Sequence, residues 1–142
     1  MGVSTDAILA FGFDLGEELP EAFSSDSSDA SFEFDEWLQV RAGAVYPEGH
    51  PGIDSVEYRT YSDACKAALD ACPVDLITHC SYDSPMRFLA IRGTHKRANR
   101  GYPVAITTPE IPPDAVAAMK AFCDEHGIEW QEPQWHIFSL WG

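Results

Sequence analysis

The chain has 142 residues, 45% of them hydrophobic and 12% aromatic, enough apolar material for one packed core and too much for a chain disordered throughout. Nine Lys and Arg against 23 Asp and Glu leave a formal net charge of −14, which opposes direct nucleic-acid binding because phosphate repels a net anion. No apolar run nears the roughly 20 residues that span a bilayer, and the first basic residue is Arg41. The expectation is therefore a cytoplasmic protein with no leader and no membrane partner.

In chain order, Ala7–Phe13 (AILAFGF) is a compact apolar run, too short for a useful helix, and reads as a buried strand. The run from Ser24 to Asp29 holds only Ser and Asp, offers no face to pack, and reads as a loop, mobile around 24–31. Phe32, Phe34, Trp37, Leu38 and Val40 follow; they are too apolar for a free linker and are expected to fold back onto the body. Residues 46–52 (YPEGHPG) mark a turn-rich connection.

Ser62 reads as a helix N-cap with Asp63 in the first turn. Cys65, Ala68, Leu69 and Cys72 form one helical stripe, and Pro73 ends it. Val74–Cys80 and Met86–Arg92 read as two strands joined by a short turn, an antiparallel hairpin. A basic loop, Gly93–Gly101, leads into an extended piece, Tyr102–Thr107. Pro112 and Pro113 suit a helix opening. Val116, Met119, Phe122 and Cys123 supply that helix's apolar side, and Gly127 a C-terminal stop. Gln134–Trp141 (QWHIFSLW) closes as a strand with large residues on both faces.

This order, βαββαβ, is that of a ferredoxin-like two-layer α+β sandwich. The expected organisation is a single domain over 1–142, with a long acidic and aromatic insertion, 14–58, after the first strand. Two helices would cover one sheet face. The opposite face is also apolar and needs cover, either from the aromatic segment Phe32–Tyr46 or from a homodimer.

Charge is segregated along the chain. Residues 1–36 carry ten acids and no Lys or Arg, whereas the remaining 106 carry 13 acids and nine bases. Spaced carboxylates can imitate nucleic-acid phosphates and occupy a basic groove on another protein. On that ground Asp14, Glu17, Glu18 and Glu21, with Trp37 beside them, are the candidate partner-binding residues. The target would be a host or defence-system protein.

Five of the nine bases, Arg87, Arg92, Lys96, Arg97 and Arg100, fall within fourteen residues. Arg92, His95, Lys96, Arg97 and Arg100 define the alternative site, for a phosphorylated metabolite or nucleotide, because Arg donates bidentately to phosphate oxygens. No phosphate-binding glycine motif accompanies them. Such a loop can equally serve as an intramolecular partner for acids.

The four cysteines, Cys65, Cys72, Cys80 and Cys123, form no CxxC pair and read as buried free thiols. His79 and Cys80 are adjacent on a strand and point to opposite faces. Cys123 and His126 supply only two ligands, so no metal is assigned. No nucleophile and base stand at a spacing that demands catalysis, and no catalytic residue or cofactor is assigned.

The opening Phe11-Gly12-Phe13-Asp14-Leu15-Gly16 and the closing Trp135-His136-Ile137-Phe138-Ser139-Leu140-Trp141-Gly142 resemble small accessory proteins of unknown function from tailed bacteriophages, especially those of actinobacteria. His79-Cys80-Ser81, Pro85-Met86 and Arg100-Gly101 share the likeness. The resemblance implies expression in a bacterial host cytoplasm and a role in the contest between phage and host. It carries no catalytic residue.

Overall fold

The computed structural model describes residues 4–23 and 32–142. The Ser/Asp run and the rest of 24–31 lie outside them. The elements are β1 (Thr5–Gly16), a 3-10 turn (Glu21–Phe23), α1 (Phe34–Arg41), α2 (Val56–Ala71), β2 (Val74–Ser81), β3 (Pro85–Ile91), β4 (Lys96–Ala98), α3 (Pro113–His126) and β5 (Gln134–Trp141). The architecture is α+β, with a five-stranded mixed sheet. The chain divides into two compact units, one of residues 1–32 with 73–142 and the other of residues 33–72.

The first unit contains the sheet. β1 pairs antiparallel with β5 from Thr5↔Trp141 to Gly12↔Gln134, and with β3 from Gly12↔Ala90 onward. β3 pairs antiparallel with β2 along its length, and β2 meets β5 in parallel at Cys80↔Leu140 and Ser81↔Trp141. The four strands β1, β3, β2 and β5 therefore close a ring, with β4 paired to Ala7–Leu9 on the edge of β1 that faces away from β5. β2 leaves extended geometry at Cys80, whose φ is 70°, within the parallel joint itself.

This closure supplies the cover that the sequence reading seeks elsewhere. Strand alternation puts Ala10, Phe88, Ala90, Ile77 and Phe138 on the inner side, where the first three are buried and the other two pack against them. Phe88 and Phe138 sit on strands that are not neighbours, yet their rings stack 4.5 Å apart across the interior. His79 lies against Phe138 and His136 against Phe88, at 5.0 and 5.2 Å. Small residues permit so tight a roll. Gly12 pairs with both β3 and β5, and a Cβ on it would come within 1.9 Å of the Leu89 carbonyl oxygen. Full burial of a ring such as Phe88 is worth about 1.5–3 kcal/mol.

On α3 the expected boundaries hold. Pro113 stands in its first turn, and Gly127 closes it in the left-handed conformation, φ 66°, its N–H bonded to the Cys123 carbonyl. Met119, Phe122 and Cys123 are its buried residues. Phe23 of the 3-10 turn, 1% exposed, stacks on Phe32 and approaches Phe122, so Phe32 does fold back as expected.

The second unit holds α1 packed with α2. Here the helix start differs from the sequence reading. The N-cap is Ser55, whose hydroxyl accepts from the Tyr58 N–H, and Ser62 lies inside the helix. The earlier start extends the stripe upstream, and Tyr58, Tyr61, Cys65, Ala68 and Leu69 are half-buried. Tyr58 and Tyr61 cluster with Tyr46. Within the first unit α3 is the one long helix among the described residues, rather than one of two covering a face.

The last difference lies in the basic loop. Residues 102–107 form neither helix nor strand, and Lys96–Ala98, expected as part of the loop, forms β4, paired to Leu9, Ile8 and Ala7. Arg97 is drawn there by Asp6 on β1, to which its guanidinium binds.

Candidate functional site: an acidic rim

β1 ends in a bulge between Asp14 and Gly16, and from there the chain runs through Glu17 and Glu18 to the 3-10 turn, in which Glu21 leads. These residues meet the segment that leaves α3 at Gly127. Between them lies an open groove of about 470 Å³ lined by Glu18, Leu19, Glu21, Ile128, Glu129 and Gln131 among others. Glu17, Glu18, Glu21 and Glu129 are all exposed. Among the described residues no Lys or Arg forms an ion pair with Glu17, Glu18 or Glu129. Carboxylates so placed project a field that a cationic surface would meet.

Asp14 is exposed but engaged. Its Oδ1 lies 2.8 Å from Nε2 of the buried His79, and its backbone carbonyl accepts from the Gln131 side-chain amide at 3.2 Å. The carboxylate can only accept, so Nε2 carries the proton. One residue thus ties the end of β1 both to β2 and to the groove wall. Gln131 and Glu129 have no signature in the sequence. They become part of the rim because the turn at Gly127 returns the chain toward β1. The nearest sequence signal is Gly127 itself, followed by Glu129 and Glu132.

Trp37, assigned to the same set from the sequence, belongs to the second unit. There its ring stacks on Phe34 at 5.7 Å and carries the Arg41 guanidinium 4.9 Å above it, an arrangement that occupies both the ring and the cation.

The alternative basic site is dispersed. Arg92 binds the Asp75 carboxylate at 3.1 Å and the Val74 carbonyl at 3.2 Å. Arg97 binds Asp6, a hydrogen bond that raises the guanidinium pKa further above its ordinary value. Lys96 donates to the Thr107 hydroxyl at 3.2 Å. His95 and Arg100 are exposed, and Arg87 is buried on β3. Two guanidiniums are thereby committed to carboxylates of the same chain, neither of them from the acidic rim.

Of the thiols, Cys72 and Cys123 are buried, Cys65 is half-buried and Cys80 is exposed. The last departs from the expectation of burial because Cys80 stands in the left-handed conformation beside the hairpin turn. Burial pushes the Cys123 thiol up to about 11, with the Asp124 charge adding to the effect. In the second unit a hydrogen bond with Cys65 raises the Tyr61 phenol above its usual value. Compared with protein-family models, with curated proteins and with solved structures, the chain matches none.

Proposed function

We propose that the chain is a non-enzymatic binding protein, phage-encoded and active in the bacterial host cytoplasm, that engages a host or defence-system protein through the acidic rim. The observation that carries this reading is the exposure of Glu17, Glu18 and Glu129 beside one open groove, without a basic partner among the described residues. The complementary surface is basic, and association gains rate and register from the charge. Asp14 acts by holding the rim, through His79 and Gln131, rather than by contact. For the scaffold we propose a rolled variant of the ferredoxin-like βαββαβ arrangement. The antiparallel neighbours β5, β1, β3 and β2 support it, and the β2–β5 joint is the departure.

Affinity capture from a bacterial lysate, run at low and at high salt, tests the functional reading. The captured partner is expected to elute as ionic strength rises, and to be lost by the variant Glu17→Gln, Glu18→Gln, Glu21→Gln. Capture indifferent to salt, or undiminished in that variant, overturns it.

A further inference from the structure

A second surface, away from the acidic rim and opposite to it in polarity, lies along β4. β4 pairs with β1 on one side, and among the described residues no strand lies on its other side. After a turn closed by the Tyr102 N–H on the Asn99 carbonyl, residues 102–110 are exposed and form neither helix nor strand. Val104 and Ile106 in that stretch line an apolar crevice with Leu9, Ala98 and Ile137. Three of these residues are nonetheless well exposed: Val104 at 46%, Ile106 at 56% and Ile137 at 74%. Sharing Ala7 and Ala98 with the crevice is an open groove of about 430 Å³ that includes Arg100, Tyr102 and Ser139.

An open strand edge flanked by apolar side-chain pockets is the arrangement that accepts an added strand. Main-chain hydrogen bonds supply affinity, and alternate side chains enter the pockets. Charge decides which strand. Lys96, Arg97 and Arg100 border the two cavities against the single acid Asp6, in a protein whose net charge is −14. Arg97 is matched by Asp6, whereas Lys96 makes only a neutral hydrogen bond to Thr107. A second copy pairing two-fold along this edge would set one copy's cluster of Lys96, Arg97 and Arg100 against the same cluster of the other, and like charges placed opposite one another across strands are unfavourable.

We propose that the β4 edge binds an extended peptide segment of alternating acidic and aliphatic residues by strand addition. An aliphatic side chain enters the crevice at Val104, Ile106 and Ile137, and a carboxylate faces Lys96. This surface is distinct from the acidic rim, and neither reading depends on the other.

The test is a titration of the full-length, 15N-labelled chain with a blocked heptapeptide alternating Glu and Val. A Lys/Val peptide and a Glu/Ser peptide of the same length serve as controls. The Glu/Val peptide is expected to shift the amides of Lys96–Ala98 and Val104–Ile106, with an affinity that Lys96→Glu or Ile106→Ser, both at accessible positions, lowers about tenfold. The Glu17→Gln, Glu18→Gln, Glu21→Gln variant is expected to bind it as the parent does, which separates this surface from the acidic rim. Equal binding of the Lys/Val or Glu/Ser peptide overturns the proposal. So does the absence of shifts at millimolar peptide. Movement of the same amides on dilution of the protein alone would assign the edge to a second copy, and also overturns it.

Discussion

Asp14 on β1 and His79 on β2 are hydrogen-bonded at 2.8 Å, although β3 runs between their strands. Flat strands two places apart are separated by nearly 10 Å. The bond therefore exists only because the sheet is rolled, and it fastens the mouth of the roll at the point where the acidic rim begins. The His79 side chain is 11% exposed and that of Asp14 43%, so it is the imidazole that pays for losing its partner.

Asp14→Ala is accordingly expected to leave the Nε2 donor buried and unmatched, lowering the unfolding free energy by about 1–3 kcal/mol. Asp14→Asn, which keeps an acceptor oxygen, is expected to lose less, about 0.5–1.5 kcal/mol. Urea denaturation followed by tryptophan fluorescence checks both. Equal losses in the two variants would show that the hydrogen bond is not what Asp14 contributes.

Gly12 sits at a close approach of β1 and β3. With Leu89 O only 1.9 Å from where a Cβ would stand, Gly12→Ala has to part β1 from β3, and the expected cost is about 3 kcal/mol or more. Gly52→Ala, at a position with open space around it, is the control and is expected to change stability by less than about 0.5 kcal/mol. Thermal denaturation of the pair gives the comparison.

The thiols are expected to react in the order of their exposure. Under native conditions near neutral pH a disulfide reagent should modify Cys80 first and Cys65 next, with Cys72 and Cys123 following only as the protein opens. Mass spectrometry of the partly modified protein reads the order.

Cys123 also has an alkaline signature. Burial holds the folded thiol at about 11, above its ordinary value of 9.0, so the folded state retains a proton that the unfolded state releases. The stabilisation is complete below pH 9 and is lost as pH rises toward 11, with a slope of at most about 1.4 kcal/mol per pH unit. Cys123→Ala is expected to be less stable at neutral pH and to lack that part of the alkaline decline. Denaturation midpoints measured for both proteins from pH 8 to 11 give the difference.

Local signals were the legible part of this fold. Gln134–Trp141, the α3 stop at Gly127 and the hairpin around Tyr82–Ser84 follow from periodicity and turn chemistry within a few residues of each boundary. What escaped is non-local. Nothing near Lys96 announces a strand, because β4 forms through pairing with Ala7–Leu9 and through the Arg97–Asp6 contact, some ninety residues away in the chain. Phe88 and Phe138 each read as one of two apolar faces, and only closure of the ring makes them mutual cover. Of the acidic site, Glu17, Glu18 and Glu21 were legible as a charge run. Glu129 and Gln131 were not, since their place depends on how α3 returns to the end of β1. Proximity in sequence groups Trp37 with them, but it belongs to the other compact unit.

The rolled interior has a consequence for how such a chain can diversify. With two phenyl rings and two imidazoles packed across it, a larger residue at position 10 or 90 must be balanced by a smaller one at 88 or 138, whereas position 12 faces backbone and stays glycine. Distant kin should therefore exchange bulk among these four sites in compensating pairs while solvent-facing positions vary more freely. Innovation in this scaffold is confined to its skin.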